Sequence, residues 1–253
     1  MSSSAARALR ILAAVGDSGR PMGVTEIARA IGTAPGTAFR GLDALQRAGL
    51  LVRHASAPRY GLGPAALGLR QTLLALFPIR DVCLPYLRQL ASASGEATSL
   101  HVRIGWYSAR IATAPGTAEV TSAASLGAAQ SLSADAAGRA ILAFLERNQA
   151  ARHLAWASAR GIAIPVALER DLAAIRARGY AQGRGEGGVA FPICLRDQAF
   201  ASVAVEGSGP LEAAPLREWG EIAHAIQAVV SANPAFARQP FQHLDPDEIV
   251  LPS

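Results

Sequence analysis

The stretch Thr25–Leu51, TEIARAIGTAPGTAFRGLDALQRAGLL, contains two helical patterns that only a few residues separate. Two helices joined by so short a connection cross each other, as in a helix-turn-helix unit. In the second helix, Ala38, Leu42 and Leu45 recur at spacings of four and three residues, which predicts a buried face. Arg40 lies on the polar side of the same helix. This pattern is typical of a helix that enters a groove of DNA.

Cap signals define the ends of the two helices. We expect Thr25 to cap a first helix over residues 26–31 and Thr33 to cap the second. Pro35 would lie in the first turn of the second helix, where its missing N–H leaves no hydrogen bond unmade. A glycine follows each helix, as is common at helix C-termini. We expect the helix-turn-helix to span about residues 24–43.

The flanking sequence completes a winged helix-turn-helix. A preceding helix that ends at Val15 would bury Leu9, Leu12 and Val15, and the later segments LLVRH and RYGLG predict a hairpin across the turn ASAP. In such a unit the second helix of the pair reads the major groove, and the hairpin reaches the DNA backbone or the minor groove. The residues expected to contact DNA are Thr25, Thr33, Gly36, Thr37, Arg40, Arg47, Arg53 and Arg59.

The distribution of charge supports this interpretation. The net charge is +5, and all 24 basic residues are arginines. Residues 1–70 hold nine arginines and three acidic residues, whereas residues 71–253 hold fifteen arginines and sixteen acidic residues. A cationic head on a nearly neutral body is typical of proteins that bind double-stranded DNA. The alternative, a helical protein-interaction module with a solvated arginine face, explains neither the hairpin nor this asymmetry.

Composition indicates a folded protein without catalytic or metal chemistry. Hydrophobic residues make up 51% of the chain and charged residues 17%, and no apolar run is long enough to span a membrane. Cys83 and Cys194 are far apart, as expected of free thiols in the cytoplasm. The five histidines lack metal-binding spacing, and the segment GRGEGG lacks the strand and helix of a phosphate-binding loop. We therefore expect no catalytic residue, metal or cofactor.

The rest of the chain predicts a second domain. The apolar segment PAALGLRQTLLALF, from Pro64, predicts a linker helix that needs a partner such as a second copy of itself. Helices and strands alternate after it, including strands about Gly105 and a hairpin across RDQ. We expect an α+β protein with a winged helix-turn-helix domain over 1–66, a linker helix over 67–78 and an α/β domain over 79–233. An extended tail over 234–253 would be poorly ordered or lie on a partner.

In this order, the motifs resemble the isocitrate-lyase-regulator (IclR) family of bacterial transcriptional regulators. The resemblance covers about residues 5–232. It rests in the head on ALRILAAVGD, VTEIARAIGTAPGTAFRGLDALQRAGLL and RYGLG, and in the body on CLPYLRQLASASGEATSLHV, LSADAAGRAILA, IRARGYA and VAFPICLRDQAFASVAVEG. It implies a dimer or tetramer that binds a pseudo-palindromic DNA operator, with a linker helix between the winged head and a GAF-like effector-binding domain.

The resemblance also implies a small-molecule effector site between the sheet and the start of the helix in SADAAGRAILA. A helix N-terminus favours anions, so carboxylate metabolites are common effectors in the family. The residues expected to line the site, by match to the family's motifs, are Leu126, Gly127, Asp135, Ala136, Ala137, Glu186, Pro192, Cys194, Ala204 and Glu206.

This sequence departs from the family at several of these positions. Ser or Thr is usual where Asp135 stands, and a small polar residue is frequent near Glu206. Because the Asp135 carboxylate would cap the helix itself and repel an anion, we expect a neutral, cationic or larger aromatic ligand rather than a small dicarboxylate. In the opposing interpretation, Asp135 is only a cap and Glu206 faces solvent. Pro35 and Gly36 stand where Lys and Ser are frequent, which leaves the operator sequence open.

Two further functions stay open at this point. The body of the protein could sense no ligand and serve only to assemble the oligomer. Alternatively, Cys83 or Cys194 could sense oxidants.

Overall fold

In the computed structural model, helices and a small sheet form the first of two units, Met1–Ala75, and a larger sheet with helices on both faces forms the second, Leu76–Ser253. The structure describes residues 4–55, 57–117, 126–183, 188–207, 213–237 and 245–249. Within these ranges no helix is both long and apolar enough to cross a membrane.

The first unit has the predicted winged arrangement. Its helices are α1 (Ser4–Asp17), α2 (Val24–Ala30), α3 (Pro35–Arg47) and α4 (Pro64–Ala75). Its antiparallel sheet has the order β1–β3–β2, from β1 (Met22–Gly23), β2 (Leu51–Arg53) and β3 (Arg59–Leu62). The hairpin of β2 and β3 confirms the predicted wing, whereas β1 was not predicted.

The predicted caps of α2 and α3 are wrong. Gly23 is the N-cap of α2, and its N–H donates to the Glu26 carboxylate at 2.7 Å. Thr25 therefore lies inside the helix. Ala34 is the N-cap of α3 and makes no side-chain cap bond. Pro35 at the first helical position has no N–H to satisfy, which reduces the need for a side-chain cap there.

The core of the first unit lies between α1, α2, α3 and the sheet. Ala38, Leu42 and Leu45 are buried, as predicted. The prediction for α1 is partly wrong, because Leu9 is 63% exposed while Ile11 is fully buried. At Gly41 of α3 a Cβ atom would lie only 2.7 Å from Ile11 Cδ1, so the absence of a side chain there lets α1 approach α3 closely and brings Ile11 into the core.

The second unit is built around an antiparallel sheet. Within the described residues its strand order is β6–β5–β4–β9–β8–β7. The strands are β4 (Ala97–Ile104), β5 (Tyr107–Ala114), β6 (Ala129–Ser131), β7 (Ala181–Gln182), β8 (Val189–Leu195) and β9 (Gln198–Glu206). The predicted hairpins about Gly105 and across RDQ are both present.

Helices cover the two faces of this sheet. Helices α5 (Ile79–Ser94) and α9 (Ala213–Ala232) pack on one face over a core that includes Leu100, Val102 and Val203. The other face carries α6 (Ala136–Ala143), α7 (Arg147–Ala159) and α8 (Leu168–Arg178). Because successive strand residues alternate between the faces, neighbouring residues of one strand serve different cores.

Two features of the second unit differ from the prediction. The segment AAGRAILAFLERN, residues 136–148, predicts one helix, but α6 stops at Ala143 and α7 begins separately at Arg147. The tail is not simply extended, since Pro234–Ala237 and Pro246–Glu248 form short 3₁₀ helices and the second of these packs on its own unit. Residues 238–244 and 250–253 lie outside the described ranges.

Candidate DNA-binding surface and ligand site

The solvent-facing side of α3 carries the residues that could reach DNA bases. Gly36 and Arg40, two of the residues expected to contact DNA, lie one turn apart and are exposed. Thr37 is half-buried beside them, and Thr33 is half-buried in the turn before the helix. The exposed positions are in the first two turns of α3, which are the turns that contact base edges in helix-turn-helix proteins.

The other arginines expected to contact DNA differ in whether their side chains form ion pairs within the protein. Arg47 is paired with Asp43 on the same helix, and both side chains are largely exposed. Arg59 Nη1 lies 3.2 Å from the Glu26 carboxylate and donates to the Pro21 carbonyl at 3.0 Å, so it ties the hairpin to α2. The bond from the Gly23 N–H, the hydrogen bond and charge of Arg20 and, to a smaller extent, the charge of Arg59 lower the pKa of Glu26. Arg53 is exposed on the hairpin.

Phe39 is a residue of this surface that the sequence reasoning missed. Its ring is 55% exposed beside Arg40. A large apolar side chain on the polar face of a helix stays in water unless a partner covers it, and Phe is one of the side chains that contact the methyl group of thymine. The helical spacing of Phe39 from Gly36, three residues earlier, would have placed it on the DNA-facing side.

Polar side chains gather on the sheet face that lies under α6. Ser202 of β9 donates to the Ala137 carbonyl of α6 at 3.0 Å, which fixes this helix to the sheet. The strand register places Ala204 of β9 opposite both Ser99 of β4 and Ala190 of β8. The side chains of Ser99, His101, Arg110 and Glu206 form a connected cluster on this face.

The carboxylate of Glu206 is the acceptor at the centre of this cluster. Arg110 Nη2 lies 2.7 Å from Glu206 Oε1, and Ser99 Oγ donates to the same oxygen at 2.8 Å. The side chains of Arg110 and Glu206 are only 11% and 20% exposed. The interpretation in which Glu206 faces solvent is therefore wrong, because two buried donors hold it against the sheet.

His101 completes the cluster as a neutral ring. Its Nε2 lies 3.0 Å from Ser99 Oγ, and its Nδ1 lies 3.3 Å from Ser108 Oγ. Burial and, to a smaller extent, the positive charge of Arg110 lower the pKa of His101 to about 3. At neutral pH the ring therefore carries one N–H and one acceptor nitrogen, each facing a serine hydroxyl, and it contributes no charge.

Asp135 caps α6, as predicted. Its Oδ1 accepts from the Gly138 N–H at 2.7 Å. Burial raises the pKa of Asp135, while the Gly138 bond and the charges of Arg139 and Arg110 oppose this shift. The carboxylate thus takes the position near the helix N-terminus where an anionic ligand would otherwise find unpaired N–H groups.

The remaining predicted ligand-site residues lie at different depths. Leu126 is 54% exposed, and the Gly127 N–H donates to the Arg110 carbonyl at 2.8 Å, which joins this loop to the cluster. Ala136 is half-buried, and Ala137 and Ala204 are buried. Pro192 and Cys194 are half-buried on β8, and Gln227 of α9 holds the backbone N–H and carbonyl of Cys194. Glu186 lies outside the described residues.

The prediction from the sequence does not place Ser99, His101, Ser108 or Arg110 in this site. The segments TSLHVRI and YSARIA both alternate polar and apolar residues, which is the signal that could have found them. Which polar residues meet depends on strand pairing, and the pairing of β4 with both β5 and β9 becomes visible only in the fold.

Other chemistry has little support in the described parts of the chain. Their His, Cys, Asp and Glu residues form no group of three or more that could hold a metal ion. Burial raises the pKa of Cys83 to about 12. The pKa of Cys194 is raised to about 11, mainly by burial and to a smaller extent by the charge of Asp197. Both thiols stay protonated at neutral pH, which disfavours redox sensing because the thiolate is the reactive form.

Comparisons with known proteins match both units. The family model of the IclR helix-turn-helix domain matches residues 4–55, and the model of the bacterial transcriptional regulator IclR C-terminal domain matches residues 71–199. The glycerol operon regulatory protein of Streptomyces griseus is 37% identical over 98 residues, which are 39% of this chain and 37% of that protein. The match thus spans little more than a third of that relative's length.

Two further matches cover more of the chain. The transcriptional repressor IclR of Escherichia coli K12 is 26% identical over 218 residues, which cover 81% of this chain and 79% of that protein. A crystal structure of an IclR homologue from Microbacterium hydrocarbonoxydans, complexed with 4-hydroxybenzoate, superposes with a TM-score of 0.69 at 21% identity and covers 91% of this chain and 100% of that one. These matches confirm the predicted α+β fold class, with a helix-turn-helix head and a GAF-like body.

Proposed function

Because the chain belongs to the IclR family of bacterial transcriptional regulators, we propose that it is a ligand-responsive regulator of a metabolic operon. It binds a pseudo-palindromic DNA operator as a dimer or tetramer, acts in the cytoplasm and catalyses no reaction. The working division of the chain is a winged domain over 1–66, a linker helix over 67–78, an effector-binding domain over 79–233 and a tail over 234–253.

The exposed side of α3 is the observation that carries the DNA-binding half of the proposal. Arg40 and Phe39 project there, Arg53 is exposed on the hairpin, and the excess arginines of the chain lie in this unit. A guanidinium at such a position pairs with the edge of guanine or with a phosphate. The two-fold symmetry of a dimer would place two such helices on two half-sites.

Binding to the intergenic DNA upstream of the protein's own gene tests this half. We expect affinity that falls steeply with salt, and we expect Arg40→Ala to lose about 1–3 kcal/mol on the operator but less on random DNA. Arg170→Ala, an exposed arginine on α8, is the matched control. Absence of salt-sensitive binding to the upstream DNA would contradict the proposal, and an equal loss on both DNAs would make Arg40 a phosphate contact.

The ligand half of the proposal rests on the charges of the site. Glu206 pairs with Arg110, Asp171 pairs with Arg139, and the Asp135 carboxylate occupies the α6 N-terminus, so the positive charges near the site already face carboxylates. We therefore propose a neutral, cationic or larger aromatic ligand rather than a small dicarboxylate. The described homologue that holds 4-hydroxybenzoate supports the inclusion of aromatic compounds among the candidates.

A thermal-shift panel of neutral, cationic and aromatic metabolites beside glyoxylate and pyruvate tests the ligand class. Saturable stabilisation by a member of the first three classes would support it. Stabilisation by the small anions alone would contradict it. If no compound in a broad panel stabilised the protein, the body would be a scaffold for assembly only.

The bound ligand would act on DNA through the linker. Its binding would change the packing of the effector-binding domain, the linker helices would transmit this change, and the spacing of the two heads would shift against the operator. The coupling is measurable as the ratio of operator affinities with and without ligand.

A further inference from the structure

The segment Asp245–Ile249 binds to the turn between β4 and β5 and to helix α7. The indole Nε1 of Trp106 donates to Asp247 Oδ1 at 2.6 Å. Arg152 Nη2 lies 2.7 Å from Asp245 Oδ1 and 2.7 Å from Asp247 Oδ2. One side chain of α7 and one of the turn thus hold both aspartates of the sequence DPDEI.

The receiving surface combines positive charge with an aromatic ring. The guanidinium carbon of Arg103 lies 5.2 Å from the centre of the Trp106 ring, and that of Arg152 lies 5.8 Å from it. Arg103 is held there by bonds to the Gly105 carbonyl at 2.9 Å and to the Gln149 side chain at 3.0 Å. The bonds with Arg152 and Trp106 lower the pKa of Asp247.

The glycine in the turn between β4 and β5 allows the segment Asp245–Ile249 to approach the backbone closely. Gly105 has a φ of +59°, and a Cβ atom at this position would lie 3.0 Å from Ile249 Cβ and 3.2 Å from the Pro246 carbonyl oxygen. A side chain at this position would therefore strain the turn and press against the docked segment. The apolar end of the segment meets the turn, while its two aspartates meet the arginine and the indole.

We propose that the surface formed by Arg103, Gly105, Trp106 and Arg152 is a binding site for an acidic peptide, and that its occupant is the chain's own segment Asp245–Ile249. The binding is reversible, because the side chains of Arg152, Asp245 and Asp247 are each about half exposed and their attraction is screened by salt. This site is separate from the proposed effector site, and the proposal does not depend on that assignment.

A labelled synthetic peptide with the sequence of residues 244–250 tests the proposal on the full chain. The host is the doubly substituted chain Asp245→Asn/Asp247→Asn, whose own segment has lost the two charges that pair with Arg152. We expect saturable binding by fluorescence anisotropy, at least tenfold weaker binding to the unsubstituted chain, and weaker binding at higher salt. A peptide with both aspartates replaced by asparagine serves as the matched ligand control.

The receptor side is tested in the same host. Arg152→Ala should weaken peptide binding at least tenfold, whereas Arg147→Ala, an exposed arginine on the same helix, should leave it unchanged. Thermal unfolding of each variant shows whether it is folded. The proposal is overturned if the folded host does not bind the peptide, if the unsubstituted chain binds it equally well, or if Arg152→Ala has no more effect than Arg147→Ala.

A second measurement uses the chain without added peptide. Trp106 is fully buried, and its indole is held by Asp247. In the Asp247→Asn variant, acrylamide should quench a larger share of the tryptophan fluorescence, and Asp197→Asn, an exposed aspartate in the β8–β9 turn, should not have this effect. Equal quenching in both variants would also overturn the proposal.

Discussion

The guanidinium of Arg110 on β5 and the carboxylate of Glu206 on β9 meet across the intervening strand β4, with 2.7 Å between Nη2 and Oε1. The Glu206 carboxylate neutralises the positive charge of Arg110, the arginine of this cluster. Since the two side chains are largely shielded from water, separation of the pair costs more than at an exposed site.

Glu206→Gln is expected to change which ligands the site accepts. The glutamine keeps an oxygen that can accept from Ser99, but it removes the negative charge that lies 2.7 Å from Arg110 Nη2. Binding of small carboxylates should therefore strengthen by about tenfold, or about 1.4 kcal/mol. Isothermal titration with pyruvate checks this, and Glu169→Gln, an exposed glutamate on α8, is the control. Unchanged affinity for anions would show that Glu206 does not govern the charge of the site.

Substitutions of Asp135 can distinguish the contribution of its helix-cap hydrogen bond from that of its negative charge. Asp135→Ala removes the acceptor of the Gly138 N–H and should lower the free energy of unfolding by about 1 kcal/mol. Asp135→Ser keeps an acceptor and should lie within a few tenths of a kcal/mol of the original chain. Urea denaturation checks both values. Equal losses in the two variants would mean that the carboxylate contributes more than the cap bond.

Phe39→Ala is expected to weaken operator binding without loss of stability. The ring is 55% exposed, so its removal leaves no cavity in the fold. If DNA covers the ring, operator affinity should fall by about 1–2 kcal/mol, and affinity for random DNA should fall less. Anisotropy titrations with both DNAs check this, with the exposed Val166→Ala of the second unit as control. An unchanged operator affinity would remove Phe39 from the DNA-binding surface.

Histidine 153 is expected to make the second unit less stable in acid. The side chain is fully buried, and burial together with the charge of Arg103 lowers its pKa from 6.5 to about 4. Between these two values the unfolded chain binds a proton that the folded chain does not bind. Stability contributed by the neutral ring is therefore complete above pH 6.5 and is lost as the pH falls toward 4, by up to about 1.4 kcal/mol per pH unit.

Denaturation curves of the unsubstituted chain and of His153→Gln between pH 7 and pH 5 check this expectation. The variant should show a smaller decline, although its stability at pH 7 falls because the ring is stacked near Trp156. His54→Gln, on the exposed hairpin, should decline as the unsubstituted chain does. A decline that is the same in all three proteins would assign the acid effect to other groups, such as buried His101.

The fold of the first unit could largely be predicted from the sequence, because the patterns that determine it are local. The spacing of Ala38, Leu42 and Leu45 places α3 in the core, and the turn residues place the hairpin. The N-caps of α2 and α3 were harder to predict. Thr25 and Thr33 are both good capping residues, but the helices begin after Gly23 and Ala34 instead. The choice between neighbouring caps depends on how the helices pack.

The ligand site was predicted less completely, because it is assembled from distant strands. Asp135 was found through its own helix, whereas Arg110 and Ser99 meet Glu206 only after residues about a hundred positions apart have paired. At the break between α6 and α7, the Phe144 carbonyl accepts from the Ala199 N–H of β9, which is a contact from outside the helix. A helical pattern read along the chain does not contain that information.

The ring of His153 contacts the rings of both Trp106 and Trp156. Its Nε2 lies 3.5 Å from Ser131 Oγ. The Ser131 hydroxyl in turn contacts that of Ser133, two residues before Asp135. One end of this series of contacts touches the C-terminal segment, and the other reaches the start of α6. Thermodynamic linkage makes such a connection symmetric: if a metabolite at α6 shifts Ser131 and thereby alters the affinity of the segment by some factor, occupancy by the segment alters the metabolite's affinity by the same factor.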